Sequence, residues 1–234
     1  MELEYTVRVS QRARRLQIRI GPTGDVVVVL PQGMNSCRIE PFVSEHREWI
    51  RKVRSRLPVS QQDLPALKPG LPENIALNAC DGLWRVSYQL GTDLRSSVRE
   101  NVSTLRVNAP DQRQACQTLQ RWLTRKARYY MQPGLQQLSR ETGLSFRCLS
   151  IRSQKTRWGS CSSSGMISLN RALMFLEADM VRYLMLHELC HTRHMNHSRR
   201  YWSLVQSFEP AYKAYEKRLR LAAFDVPAWA QAGM

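Results

Sequence analysis

The segment His187-Glu188-Leu189-Cys190-His191 constrains the fold more than any other part of this sequence, because its spacing is that of a helical turn. Four residues advance a helix by slightly more than one turn, so His187 and His191 share one face with Cβ atoms about 5–6 Å apart. Both imidazoles can then reach one zinc ion at about 2.0–2.1 Å. Glu188 lies on the adjacent strip, where its carboxylate can accept a proton from a metal-bound water. The segment therefore predicts a helix that carries two metal ligands and a base.

The residues that precede this segment predict that the helix is largely buried. Between residues 181 and 190 the only charged or strongly polar side chains are Arg182, His187 and Glu188. A carboxylate buried beside two imidazoles is costly unless a cation or hydrogen bonds compensate for it. The alternative, in which these are ordinary surface or core residues, is therefore disfavoured.

A third ligand is needed, because a catalytic zinc site usually has three protein ligands and one position for water. In a continued helix His194 would stand about 10 Å beyond His187, too far to share one ion with it. Asn196 tolerates a left-handed turn, and a reversal there would return His197 to the metal. We therefore favour His197 as the third ligand over His194 and over an acid such as Glu209.

Hydrophobic periodicity predicts an α+β fold, with a β-rich amino-terminal lobe that contains a helix and a helical part that contains a small sheet. We place the two parts at residues 1–110 and 111–234, or in one continuous domain. The prolines and glycine of residues 64–72 mark either a domain boundary or a short link. Predicted strands lie in residues 5–20, 26–29, 75–107, 146–151 and 166–169, and predicted helices in residues 39–57, 112–141 (kinked or divided at Pro133-Gly134), 179–194 and 198–219.

The charge of the chain is strongly positive, with 35 Lys and Arg against 19 Asp and Glu and a formal net charge of +16. Such a surplus attracts polyanions, so nucleic acids and nucleotides are candidate partners, although a merely solvated basic surface is the alternative. The amino terminus contains no apolar core of signal-peptide length, and residues 26–30 are too few to cross a bilayer. We expect a cytoplasmic protein without a membrane partner, and we make no prediction of its oligomeric state.

Further motifs extend the pattern beyond the histidines, and together they resemble the YgjP-like metallopeptidases, relatives of the SprT-type zinc proteases. The shared segments are Arg157-Trp158-Gly159-Ser160-Cys161, Ile167-Ser168-Leu169-Asn170 with Leu173, His187-Glu188-Leu189 with His191, Asn196-His197-Ser198 with Trp202, and, in the first third, residues 9–13, 26–31 and Trp49-Ile50. Cys190 stands where the family commonly has a small apolar residue, and Met195 where it often has proline.

The resemblance implies a zincin-like catalytic part, with zinc ligands at His187, His191 and His197 and a catalytic Glu188. It supports His197 over His194. We expect zinc-dependent hydrolysis of peptide bonds in a peptide or protein substrate. For Trp158-Gly159-Ser160-Cys161 we favour a strand and tight turn that pack beside the active-site helix over a direct catalytic role.

Two side chains are candidates for substrate or oxyanion contacts, Tyr201 and Arg157, each with a structural role as the favoured alternative. Two other functions remain open. The same metal site could serve a nucleoside-triphosphate pyrophosphatase, which the positive charge suits, but the sequence contains no P-loop and no paired-carboxylate cluster. A basic nucleic-acid-binding protein with a structural zinc is the second, although structural zinc sites normally have four ligands and are rich in cysteine.

Overall fold

The chain divides into two units, Met1–Lys68 and Pro69–Met234, and the division falls within the proline-rich connection. The computed structural model describes residues 4–11, 13–20, 25–54, 70–154, 156–222 and 226–231, with the side chains of 52–54 excepted. Residues 64–69 of the connection therefore lie outside the described part. The predicted domain limits at residue 110 remain a prediction.

The described residues of the first unit form a three-stranded sheet, a 3-10 turn at Ser36–Arg38 and two short α-helices. Strands β1 (Thr6–Ser10) and β2 (Gln17–Ile20) flank β3 (Val26–Pro31), and β1 runs parallel and β2 antiparallel to it. The predicted helix 39–57 is interrupted at His46, giving α1 (Ile39–Glu45) and α2 (Arg47–Arg54). The His46 ring Nδ1 lies 2.9 Å from the Phe42 carbonyl oxygen, so the side chain competes with the helical backbone there. Residues 55–57 lie outside the description.

The second unit begins with a four-stranded sheet in the order β4-β5-β7-β6. Its strands are β4 (Asn74–Leu77), β5 (Gly82–Leu90), β6 (Ser97–Glu100) and β7 (Thr104–Ala109). Strands β5 and β7 are parallel, and the other pairs are antiparallel. Alternate side chains such as Trp84 and Val107 are buried, as expected for a sheet with one face on the core.

The long helix α3 (Gln112–Thr142) packs against this sheet. It begins where the Asp111 carboxylate accepts a hydrogen bond of 2.7 Å from the Gln114 amide, and it ends at Gly143 with φ 70°. The sequence predicted a kink or a division at Pro133-Gly134, and the helix is not divided there, because it continues through the proline. Met131 and Leu135 are fully buried on either side of the proline, and this tertiary packing offsets its cost.

The predicted small sheet is present in the second unit, in the order β8-β10-β9. Strand β10 (Met166–Asn170) runs parallel to β8 (Cys148–Arg152) and antiparallel to β9 (Gly159–Cys161). Helix α4 (Ala178–Cys190) packs against β9, β10 and α3. This arrangement confirms the α+β class, and it places the last three residues of Trp158-Gly159-Ser160-Cys161 in a strand beside the His187-Glu188 helix.

The last predicted helix, 198–219, is in fact two helices, α5 (Arg199–Phe208) and α6 (Tyr212–Leu219). Pro210 explains the break, because the residue before a proline avoids the helical region, and Glu209 adopts φ −139° and ψ 88°. Helix α4 likewise ends at Cys190, four residues before the predicted end. Among the described helices, none has the length and apolar character needed to span a membrane.

Candidate metal centre

Helix α4 carries the centre of the site on a buried surface. Its residues from Met180 to Cys190 are buried apart from Arg182 and His187. The Glu188 side chain is only 4% exposed, and His191, which follows the last helical residue, is buried as well. His187 keeps a small exposed fraction, so the buried helix ends at a surface that solvent can reach.

Three imidazoles converge at this end of α4. The Nε2 atoms of His191 and His197 lie 3.1 Å apart, and those of His197 and His187 lie 3.2 Å apart. Bonds of 2.0–2.1 Å from one tetrahedral zinc would separate two ligand nitrogens by about 3.3 Å. Among the described residues, this is the group of three that could hold a metal ion.

The ring of His191 is held in one tautomer. Its Nδ1 lies 3.0 Å from the carbonyl oxygen of His194, so Nδ1 carries the hydrogen and donates it. Nε2 then presents a lone pair toward the other two rings. Burial lowers the pKa of His191 to about 4 and lowers that of His197 as well. Both rings are therefore neutral at neutral pH, the form that binds metals.

The chain returns His197 to α4 by a route different from the predicted one. A tight turn follows α4, in which Thr192 donates to the Leu189 carbonyl and His194 to the Cys190 carbonyl, at 3.0 and 3.1 Å. The left-handed conformation predicted at Asn196 is not adopted. Among the described non-glycine residues only Asp81 has a positive φ. Successive backbone turns make the reversal without it.

A second layer of contacts supports His187. The Tyr201 hydroxyl donates to the His187 carbonyl oxygen at 3.0 Å, and the Tyr201 ring stacks on His191 with centroids 4.4 Å apart. On the other side, Glu216 Oε1 lies 3.4 Å from His187 Nδ1 and accepts a hydrogen bond of 2.7 Å from the Tyr183 hydroxyl. The 3.4 Å contact is too poorly aligned to count as a hydrogen bond, but the neighbouring His187 and Tyr183 lower the pKa of the Glu216 carboxyl.

The Glu188 carboxylate lies between α4 and β9. Its Oε2 is buried without a hydrogen-bond partner in the described protein. Burial raises the pKa of Glu188 to about 7, against the opposing charges of His187 and Arg157. A Cβ built on Gly159 would lie 2.5 Å from Glu188 Oε1 and 2.8 Å from its Cγ. Glycine at this position is therefore what leaves room for the carboxylate.

This chemistry fits a divalent ion. The His191 Nε2 presents a lone pair, and the three Nε2 atoms lie at the separations expected of ligands that share one cation. Glu188, the residue after His187 in α4, has a carboxylate oxygen without a hydrogen-bond partner among the described residues. The comparison with known families identifies the kind of enzyme. A model of the YgjP-like metallopeptidase domain matches residues 14–222.

The chain belongs to the YgjP-like metallopeptidase family. Family membership makes this protein a zinc metallopeptidase-like hydrolase, and it supports neither of the two alternative functions. A comparison with curated proteins finds no match.

Two crystal structures of metallopeptidase zymogens are similar to a part of this YgjP-like chain. Abylysin of Pyrococcus abyssi is 26% identical over 38% of this chain and 90% of its own, with a TM-score of 0.35. Jannalysin of Methanocaldococcus jannaschii is 16% identical over 38% of this chain and 92% of its own, with a TM-score of 0.34.

The YgjP-like chain brings together the three histidines predicted as ligands, and neither His194 nor Glu209 belongs to this group. His194 contributes its backbone carbonyl to His191, and Glu209 accepts from the Ala211 amide at 3.3 Å. The Arg157 side chain is exposed, and its charge acts on Glu188. Tyr201 is fully buried, with its hydroxyl hydrogen donated to His187.

Two features of this centre were not predicted from the sequence. One is the contact of Glu216 with His187, and the other is the space that Gly159 leaves for Glu188. Both act through contacts between positions far apart in the chain, which a periodic pattern does not reveal. The available signal for Glu216 was weak: an acid in the helix after the third histidine. For Gly159, the signal was a glycine in a short segment without another assigned role.

Proposed function

We propose that this chain is a zinc-dependent metallopeptidase in which His187, His191 and His197 hold the metal and Glu188 is the general base. The observation that carries the proposal is the approach of three Nε2 atoms, at 3.1 and 3.2 Å, beside a buried carboxylate with an unpartnered oxygen. Three imidazoles with one open position are the donor set typical of catalytic zinc. The cytoplasmic location expected from the sequence stays a prediction.

Glu188 has the properties of a proton carrier. When bound, zinc supplies a Lewis acid that polarises the scissile carbonyl and lowers the pKa of a water molecule to about 7. Burial brings the pKa of Glu188 to about 7, so its carboxylate can take a proton from water and give it to the leaving amine at neutral pH. Because Gly159 has no side chain, the Glu188 carboxylate has room to lie in this position.

Neighbouring groups hold the ligands in place. The His194 carbonyl selects the tautomer of His191, and the Tyr201 hydroxyl anchors the backbone at His187. We assign to Glu216 the orientation of the His187 ring, since carboxylates that contact the second nitrogen of a metal-binding histidine commonly do this. These contacts stabilise the ring positions before any metal binds.

The small sheet favours a peptide substrate. Strand β9 lies at the edge of its sheet and pairs with β10 on one side. Gly159, its first residue, is in close approach to Glu188. An extended peptide can add to such an edge through backbone hydrogen bonds, which would bring its bonds next to the carboxylate. Arg157, just before β9, is the remaining candidate for an oxyanion contact, because the Tyr201 hydroxyl donates to protein.

The test is a comparison of metal content and hydrolysis in the wild type and the Glu188→Gln variant. Gln keeps the size of the side chain but cannot accept and return a proton. We expect the variant to retain one equivalent of zinc and to lose about 10²- to 10⁴-fold in the rate of cleavage of an unfolded protein substrate. A chelator should abolish wild-type cleavage, and added zinc should restore it.

The matched control is Glu141→Gln, because Glu141 forms an exposed ion pair with Arg182 and lies outside the site. This variant should cleave at the wild-type rate. Unchanged cleavage by Glu188→Gln would contradict the role of Glu188. Undiminished zinc binding by a His187→Ala, His191→Ala double variant would contradict the ligand assignment. Nucleoside triphosphates, assayed in parallel, should not be hydrolysed.

A further inference from the structure

A basic groove runs along one face of α3. Three cavities of about 650, 360 and 270 Å³ lie along this helix, and Arg125 lines all three. Because the three share Arg125, we describe them together and call them the α3 groove. Its walls include Ser96, Ser97, Gln117, Arg121, Arg125 and Tyr129.

The arginines of the groove lie on a single face of the helix. Arg121, Arg125 and Arg128 are spaced by three or four residues, which places them side by side over about 10 Å. All three are exposed. Like charges at this spacing destabilise a helix by a few tenths of a kcal/mol per pair. The fold gains nothing from gathering them, so an anionic partner is the simplest explanation.

No carboxylate of the described residues forms an ion pair with these three arginines. Arg121 donates a hydrogen bond of 2.9 Å to the Thr118 hydroxyl, which is neutral. The acid in the wall, Glu100, is already paired with Lys126 and accepts a hydrogen bond from the Trp122 indole. The groove therefore keeps its positive charge.

An aromatic ring stands beside the arginines. Tyr129 is 82% exposed, although tyrosine rings usually contribute to a core. It lines the same cavity as Arg125, Arg128 and Pro133. At the other end of the groove Ser96 and Ser97 line the cavity that contains Arg121. The groove thus offers cations along its length, serine residues at one end and an exposed aromatic ring at the other.

This combination matches one class of partner. Proteins that bind single-stranded nucleic acid join a positive groove, which follows the phosphates, to exposed aromatic rings on which bases stack. Hydroxyls such as those of serine also commonly contact phosphates. The exposed ring and the row of cations are the two features that such a site combines. We propose that the α3 groove binds single-stranded nucleic acid, with phosphates on Arg121, Arg125 and Arg128 and a base stacked on Tyr129.

Binding of fluorescent oligonucleotides by the full chain tests this proposal. The probes are single-stranded DNA and RNA of about 20 nucleotides, a DNA duplex of the same sequence, and heparin, each titrated at several salt concentrations. The groove variant changes Arg121, Arg125 and Arg128 to Gln. We expect it to bind single strands at least 10-fold more weakly and to reduce the slope of log affinity against log salt by about 2, since each phosphate contact contributes about 0.7.

The matched control changes Arg140, Arg147 and Arg152 to Gln, three exposed arginines that do not line the groove. It removes the same charge and should alter the slope by less than about 0.5. Equal losses in the two triple variants would overturn the proposal, because binding would then follow net charge. Failure of the wild type to bind single strands at about 50 mM salt would overturn it as well.

The ring is tested separately. Tyr129→Ala should weaken single-strand binding about 5- to 100-fold without changing the salt slope, and Tyr129→Phe should restore it. Neither change should affect heparin or duplex binding. An equal effect on all probes, or no effect on any, would overturn the assignment to single strands. Circular dichroism and thermal melting establish that each variant is folded, and the exposed positions make loss of folding unexpected.

Discussion

The two sides of the metal centre are built in different ways. On the α4 side, His187 and Glu188 lie in a buried helix, and Tyr201 and Glu216 contact His187. On the other side, His197 is exposed and follows α4 through a series of turns. Within the described part of the chain its ring contacts other rings, including the stacked Trp202 at a centroid distance of 5.3 Å.

This difference separates two ways of preparing a site. The buried side is fixed by packing and hydrogen bonds, so displacement of its carboxylate should reduce the rate of reaction. The exposed side depends on weaker stacking, so changes there should affect the affinity for the metal more than the chemistry. The variants below test this distinction, beginning with the largest expected effect.

The largest effect is expected for Gly159→Ala. The new methyl group would stand 2.5 Å from Glu188 Oε1 and 2.9 Å from its Cδ. Because Glu188 is buried, the carboxylate has to move by roughly 1 Å to relieve the contact, and a displacement of that size can reduce activity about 100-fold. We expect this loss in kcat/KM with zinc content unchanged.

Gly91→Ala is the control for this change, because a Cβ at Gly91 would make ordinary contacts of 3.6 Å with Leu94. It should leave the activity of the enzyme as it is. Loss of zinc from Gly159→Ala would show that β9 supports the ligands and not only the base. Full activity would show that Glu188 is less firmly held than its burial implies.

An intermediate effect is expected for Glu216→Gln. The amide keeps the volume and the Tyr183 contact but removes the negative charge beside His187 Nδ1. Loss of such a contact typically weakens metal binding 10- to 100-fold. Zinc affinity measured by competition with a chelator should fall by this factor, while the thermal stability of the metal-free protein changes little.

Glu216→Asp shortens the side chain but keeps its negative charge, so it should retain more zinc affinity than Glu216→Gln. A merely structural role would not make the affinity depend on the charge in this way. Glu141→Gln serves again as the surface control. An unchanged zinc affinity in Glu216→Gln would show that Glu216 does not support the metal ligands.

Local patterns predicted the parts of this centre that depend on one helix, and long-range contacts decided the rest. The spacing of His187, Glu188 and His191 needs only helical geometry. The interruption at Pro210 follows from the rule that the residue before a proline avoids the helical conformation. Hydrophobic periodicity alone predicted one continuous helix there. The continuity of α3 through Pro133 depends on burial, and the role of Glu216 depends on the packing of α6.

The smallest effect is expected for Trp202→Leu on the exposed side. The Trp202 ring is stacked between His197 and Tyr212, with interplanar angles of 18° and 20°. Leucine keeps an apolar side chain there but removes the stacking, which contributes about 0.5–1.5 kcal/mol beyond burial. The freed His197 ring must then be ordered when the metal binds.

Zinc affinity should therefore fall about 2- to 10-fold, and kcat at saturating zinc should stay within about 2-fold of the wild type. Trp49→Leu, at an exposed tryptophan of the first unit, should change neither quantity. A loss of kcat as large as that of Gly159→Ala would mean that the exposed side also positions the reacting groups. The distinction between the two sides would then be wrong, because stacking on Trp202 would be as decisive for the chemistry as the burial of Glu188.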